Sequence, residues 1–353
     1  MKNLDKYLSI LTDEVDGLLL TSRYARHYGA EFDIAEGAAI VTKAGCRYFT
    51  DSRYIESAQN SLKGFEVICV DGIGYFKLLN NAIADFGVTT LGYEENYLTV
   101  AEFMGYEKFL NARLVPYNKQ ISGFRGVKED WELDLMRKAQ KIADKAFAEV
   151  LPRIKVGMSE LELQAELIYC MYKNGAHGLS FDPIVVSGPN SSMPHGVAGE
   201  RKIQEGDFIT MDFGVLYNGY CSDMTRTVAV GFVTEEMEKV YNTVLQVQLA
   251  GLAATKAGVP GQDIDGAARK IITDAGYGPY FGHGYGHSLG LEVHESPSPN
   301  ARNDQPMPLH AVASAEPGIY LPGKFGVRIE DCVIFTEDGY ENLATSPKNL
   351  IIV

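Results

Sequence analysis

Two short segments of the chain each place a pair of carboxylates on either arm of a turn: Asp212 and Asp223 around Asn218-Gly219, and Glu316 and Glu330 around Pro322-Gly323-Lys324. Asn-Gly between alternating runs predicts a type I′ hairpin. A two-residue loop pairs Tyr217 with Tyr220, Val215 with Ser222 and Gly214 with Asp223. Asp212, two residues from Gly214, then shares a face with Asp223, on a diagonal of roughly 7–8 Å between Cα atoms. In the second hairpin a three-residue loop pairs Leu321 with Phe325 and hence Glu316 with Glu330. Like charges directly opposite one another destabilise a sheet unless something positive lies between them. Arg328, on the face of Glu330, supplies part of that charge, and a divalent cation would supply more. A single acid beside a turn reads as a solvated position. Two pairs set among Met, Phe, Ile and Val weigh against that reading.

A second cluster is nitrogenous. Gly282-His283-Gly284-Tyr285-Gly286-His287-Ser288-Leu289-Gly290-Leu291-Glu292-Val293-His294-Glu295 carries three of the chain's seven histidines. Neutral imidazole is a ligand for Zn, Mn, Fe or Co, and the interleaved glycines let backbone and rings approach a ligand closely. The glycines argue against the continuous helix of an H-E-x-x-H site, and a phosphate loop would need a lysine that is absent. His195, in Ser192-Met193-Pro194-His195-Gly196, is a fourth candidate on a turn-rich loop.

These groups need a scaffold. A chain of 353 residues, 46% hydrophobic and 22% charged, is globular and long enough for two domains. The net charge of −14 excludes an ordinary nucleic-acid binder. Five scattered cysteines without C-x-x-C spacing argue against a disulfide framework or thiolate metal site. The start, Met1-Lys2-Asn3-Leu4-Asp5, has no signal-peptide core, and no apolar run is long enough to span a membrane. The expected compartment is a reducing cytoplasm. Residues 37–41 and 47–50 read as a hairpin, 65–70 as a strand and 75–86 as a helix, giving an α/β N-terminal domain. Apolar periodicity lapses over residues 121–126. Beyond it, Leu135, Met136, Ala139, Ile142, Ala143, Ala146, Phe147 and Val150 form one helical stripe ended by Pro152. Ser159 and Glu162 form a capping box that opens a second helix, and a third runs from Thr234 toward Gly258. Strands and hairpins dominate the rest, so the whole is α+β.

The ordered set Asp212, Asp223, His287, Glu316 and Glu330 resembles the five metal ligands of the pita-bread metallopeptidases, family M24. The strings Met-Asp-Phe-Gly, Ser-Asp-Met-Thr-Arg-Thr, His-Ser-Leu-Gly-Leu-Glu-Val-His-Glu, Glu-Pro-Gly-Ile-Tyr and Val-Arg-Ile-Glu-Asp are similar to that family's motifs. Asp51-Ser52-Arg53-Tyr54 resembles the extra domain of its aminopeptidase P and prolidase branch. The resemblance implies a pita-bread catalytic domain over residues 125–353 and a smaller creatinase/prolidase-like α/β domain over residues 1–122. It implies two divalent ions, manganese first with Co, Zn or Fe also admitted, bridged by Asp223 and Glu330, and a likeness to homodimers. Proline-containing peptides would be the substrates, with Glu316 taking a proton from water and His195 and His294 assisting the intermediate. His283 would contact substrate, and Arg328 would stand behind the ligands. Many prolidases carry an arginine four residues beyond the position of His294, as a clamp for the free carboxylate of a dipeptide. Here that position is Ser298, which supplies no charge; Arg302, four residues further on and beyond Pro299, is a candidate substitute whose placement the sequence does not fix. The expectation is therefore an Xaa-Pro aminopeptidase. The alternatives are an Xaa-Pro dipeptidase, a creatinase-like hydrolase and a non-catalytic protein of the same fold. Without the resemblance, the fallback is a structural metal-binding domain.

Overall fold

A computed structural model describes residues 3–353; Met1 and Lys2, part of the leader reading, lie outside the described residues. The chain divides into a unit ending at Arg125 and a unit spanning Gly126–Val353.

The first unit holds strands β1 (Gly17–Leu20), β2 (Ala38–Thr42), β3 (Cys46–Thr50), β4 (Glu66–Cys69), β5 (Thr90–Tyr93) and β6 (Arg113–Pro116). They form one mixed sheet in the order β4-β3-β2-β1-β5-β6. Helices α1 (Asn3–Ser9), α2 (Arg23–Ala30), α3 (Ile55–Ser61), α4 (Tyr75–Phe86), α5 (Val100–Phe109) and α6 (Asn118–Gly123) accompany it. The β2–β3 hairpin turns where the sequence places it, because the Thr42 hydroxyl accepts from the Ala44 and Gly45 amides. Residues 121–126, read as a lapse in pattern, are instead the end of α6 and a 3₁₀ turn. Their short, polar helical turns carry too few apolar positions to show a period.

In the second unit, α7 (Asp130–Val150) and α8 (Glu160–Lys173) pack their buried stripes on the sheet of strands β8 (Ile184–Ser187), β9 (Phe208–Phe213) and β12 (Met224–Ala229). Short strand β7 (Gly178–Leu179) joins β10 (Val215–Tyr217) and β11 (Tyr220–Cys221). The Ser159–Glu162 capping box is formed. A second core lies under α9 (Glu235–Ala254) and α10 (Gly261–Asp274), against β13 (Val312–Ala315), β14 (Gly318–Leu321), β15 (Phe325–Arg328) and β16 (Asp331–Phe335). Strand β17 (Tyr340–Asn342) edges β16. Two expectations need correction. Helix α9 ends at Ala254, four residues before Gly258, with Thr255 as an extended cap. Helix α10 was not read, because only Ile264, Ala268 and Ile272 mark its buried face among polar residues.

Both hairpin registers are as the sequence predicts. Tyr217 pairs with Tyr220 across a turn whose Asn218 and Gly219 both have positive φ, and Asp212 faces Thr225. Leu321 pairs with Phe325 and Ala315 with Asp331, so Glu316 stands opposite Glu330. The ladders lapse between β9 and β10, between β11 and β12, between β13 and β14, and between β15 and β16. Asp223, Glu316 and Glu330 occupy those gaps. Gly214 makes the first gap possible, since an added Cβ would overlap the Ser222 carbonyl oxygen. Gly214→Ala should therefore destabilise the protein by about 2 kcal/mol, lowering Tm by roughly 4–8 °C. Gly339→Ala, with open space around it, is the control. Equal melting temperatures for the two variants would show that the gap is not built on Gly214.

Candidate metal centre

Strand geometry places the four acids, and the segment 285–289 adds a histidine by running beside β13. Ser314 donates its amide to the His287 carbonyl at 2.7 Å, and Glu316 donates its own to Tyr285 at 2.8 Å. Gly286 permits this approach, because a Cβ there would overlap the Ser314 carbonyl. The result is a tight cluster. His287 Nε2 lies 3.5 Å from a carboxylate oxygen of Asp223 and 3.5 Å from one of Glu316. One ligand atom each from Asp223, His287 and Glu330 falls within 4.8 Å of the others.

The polar bookkeeping is incomplete without a cation. Asp212 gives one oxygen to the Arg328 guanidinium, and Glu330 gives one to the Thr225 hydroxyl at 2.6 Å. The second oxygen of each, and one oxygen of Asp223, are buried with no partner. Buried carboxylate oxygens are normally satisfied, so three orphans on residues lining one cavity fit a divalent ion. The electrostatics agree. Burial first, then repulsion from Asp212 and Glu316 against the pull of His287, lifts the Asp223 carboxyl to about 7. Burial and the charges of Asp223, Glu316 and Asp212 push Glu330 well above the usual carboxylate range. Burial disfavours a charged His287 ring, but its bond to Asp223 and the charge of Glu316 outweigh this and raise it to about 9.

A cavity of about 860 Å³ opens on the cluster and is also lined by His195, His283, His294, Arg302 and Arg328. His195 and His294 are exposed to it. The His294 ring stands 4.3 Å from that of His287, and burial with the nearby His287 lowers its pKa. His283 sits differently. Its Nδ1 is 2.9 Å from the Gly284 carbonyl and must carry the proton, while Nε2, 2.9 Å from the Tyr320 hydroxyl, accepts one. Both ring nitrogens are engaged, so His283 presents its ring as a wall of the cavity. Ser298 does not line it; its hydroxyl donates to the Glu295 carbonyl and accepts from the Ser288 amide.

Sequence reasoning missed several neighbours. Thr225 and Tyr320 connect Glu330, Arg328 and His283, and alternation from Asp223 and Glu316 puts them on the right faces. Phe181, Asp182 and Ile184 line the cavity without any motif to mark them. Arg269 also lines it, but α10, which carries it, was itself unread.

Residues 134–337 match Metallopeptidase family M24, and residues 3–127 match the Creatinase/Prolidase N-terminal domain. The chain belongs to metallopeptidase family M24. The Xaa-Pro dipeptidase from Bacillus anthracis has the same M24 fold at TM-score 0.96 and 40% identity, over 100% of this chain and 99% of that one. The X-Pro aminopeptidase from Thermotoga maritima MSB8 gives TM-score 0.93 and 36% identity, covering 100% of each chain. The Xaa-Pro dipeptidase of Pyrococcus furiosus is 41% identical over 65% of this chain and 66% of its own length. The M24 chain thus combines the pita-bread catalytic domain with the N-terminal domain of the creatinases and prolidases.

If a cation binds to Asp223, Glu330 and His287, any protons they hold must leave. Because all three affinities for protons are raised, the metal-free site gives up the Asp223 proton only above about pH 7 and the His287 proton only above about pH 9. Manganese binding at pH 6.5 should release at least about one proton, and affinity should climb roughly tenfold per pH unit for each proton released. Calorimetry in buffers of different ionisation enthalpy measures this. Binding without proton release would place the ion elsewhere.

Proposed function

We propose that this M24 metallopeptidase is an Xaa-Pro dipeptidase. The observation that carries the reading is Arg302: it lines the same cavity as the carboxylate cluster, and none of the described carboxylates pairs with it. A dipeptide ends in a free carboxylate directly after proline, and a guanidinium meets that group in a bidentate, charge-assisted pair. The expectation of an aminopeptidase rested on Ser298 in the clamp position. Ser298 is turned into loop hydrogen bonds, which leaves Arg302 to act. The dipeptidases of Bacillus anthracis and Pyrococcus furiosus support the same choice, while the Thermotoga maritima aminopeptidase keeps the longer-peptide reading as the second one.

In this proposal Asp212, Asp223, His287, Glu316 and Glu330 would hold two divalent ions. Oxygen-rich ligation with one imidazole favours manganese and also admits Co, Fe or Zn. When bound, the metals supply Lewis acidity, polarising the scissile carbonyl and bringing a water's pKa toward neutrality. Glu316 accepts the proton from that water, its carboxylate held by the Ser314 hydroxyl at 3.2 Å. His294, kept neutral by burial, donates to the developing oxyanion with His195. Arg328 fixes Asp212 from behind and reaches the Tyr320 hydroxyl at 2.9 Å. Proline makes the bond a tertiary amide without N–H, and this site asks for no such hydrogen. A homodimer and a reducing cytoplasm complete the proposal, the second supported by five free cysteines.

Two measurements test the roles. His294→Ala should retain manganese while kcat falls by about 10²–10³; loss of metal together with activity would make His294 a ligand instead. For the substrate class, kcat/KM should favour Ala-Pro over Ala-Pro-Ala, and Arg302→Ala should cost Ala-Pro roughly 10–100-fold, the worth of a charged hydrogen-bonded pair. Equal or better cleavage of the tripeptide, untouched by Arg302→Ala, would return the reading to an aminopeptidase.

A further inference from the structure

No described group holds the His294 ring by a hydrogen bond, yet its place beside His287 is what the proposed chemistry needs. Its neighbour in sequence is held instead. Glu295 and Lys128 form an ion pair at 3.0 Å with each side chain only 2% exposed. Glu295 spends its other oxygen on the Glu292 amide at 3.3 Å. Its own amide donates to the Ser288 carbonyl at 2.7 Å, so residues 288 and 295 pair as an antiparallel bridge. His287 and His294 each precede one member of that bridge, which brings their rings to 4.3 Å.

The surroundings are shaped for the pair. A Cβ on Gly290 would lie 2.6 Å from the Glu295 carboxylate and 3.0 Å from Lys128 Cε. Glycine at that position leaves the space the pair occupies. Lys128 is fixed in turn: its amide donates to the His310 carbonyl at 3.1 Å. Gly126, two residues earlier, runs so close under the loop that a Cβ would sit 2.9 Å from the Ser296 carbonyl. Taking two charges out of water costs about as much as their attraction returns. Net stability is therefore a weak reason for this pair, and a defined loop position is a stronger one.

We propose that Lys128 and Glu295 are positioning residues that hold His294 against His287 by fixing the 288–298 loop. The inference rests on the reading of His294 as an oxyanion donor. The test uses the manganese-loaded full chain, with Lys128→Met made in the wild-type and the His294→Ala backgrounds. In the first, kcat for Ala-Pro should fall about 10–100-fold, the range for a residue that orients another, with KM and manganese affinity within about threefold. In the second, the same substitution should cost less than about threefold, because its target is gone. Lys128→Arg should restore most of kcat. Amide exchange in the 288–298 peptide should accelerate in Lys128→Met, while α9 keeps its protection. Equal losses in both backgrounds, or metal affinity falling in step with kcat, would overturn the proposal. If Lys128→Met does not fold, Glu295→Gln is read by the same outcomes. If the wild-type protein does not cleave Ala-Pro, the functional reading fails by itself. Exchange then decides alone, and unchanged protection of 288–298 would overturn the positioning role.

Discussion

Four carboxylates converging in one largely buried place is the constraint on which the catalytic unit depends. Asp212, Asp223, Glu316 and Glu330 repel one another where water screens little. The consequence is visible in the upward shifts of Asp223 and Glu330. Arg328, itself buried, returns one positive charge through Asp212. His287 returns a second only while it is protonated. The remainder must come from protons or from metal ions, and three partnerless oxygens mark where ions would attach. A fold can keep such a cluster only if the backbone cannot relax away from it.

What prevents relaxation is a second layer of buried polar groups directly behind the first. Arg226, 1% exposed, donates to the carbonyls of Thr225 and Glu330 and pairs with Asp331, which is 0% exposed. Asp331 also accepts from Gln248, Asn342 and Lys348. The same guanidinium takes the Ser346 and Pro347 carbonyls, so the C-terminal segment is drawn into the support of the segment that carries Glu330. Removing one partner from a buried pair of this kind costs about 3–5 kcal/mol, because the other charge is left stranded. Thr225 joins the layers: its hydroxyl donates to Glu330 and accepts from Arg328. A small β-branched residue fits here, where a larger one would separate guanidinium from carboxylate.

The hairpins were legible in the sequence because register follows from two local facts, the turn type and the period of two. Asn218-Gly219 and Pro322-Gly323-Lys324 were enough to set Asp212 near Asp223 and Glu316 opposite Glu330. The stripe of α7 and the capping box of α8 were legible for similar reasons. Helix α10 was not, since a helix that buries three apolar residues among Gly, Gln and Asp leaves a weak period. The capping box Thr99–Glu102 of α5 was present in the sequence and went unread, on a helix whose apolar residues are spread round its circumference. The walls of the cavity were largely illegible. Phe181, Asp182 and Ile184 reach it through tertiary packing, and no spacing rule connects them to the acids.

Ser298 and Arg302 show why a position in a motif is weaker evidence than a hydrogen-bond account. Read along the chain, Ser298 stands where a clamp belongs. In space its hydroxyl joins Glu295 to Ser288, and its carbonyl accepts from Asn303 at 3.0 Å. A serine so engaged would have to break loop bonds to bind a ligand. Among the cavity's arginines the same accounting separates roles. Arg328 is committed to Asp212. Arg269 is committed to Asp265 through two nitrogens and to the His283 carbonyl. Arg302 offers only its backbone amide, to Asn300. A carboxylate entering the cavity therefore finds two guanidinium groups already neutralised and one whose charge is available. In the proposed dipeptidase, selection for a short substrate would follow from which arginine the fold leaves unspent, and not from which residue lies four places after a histidine.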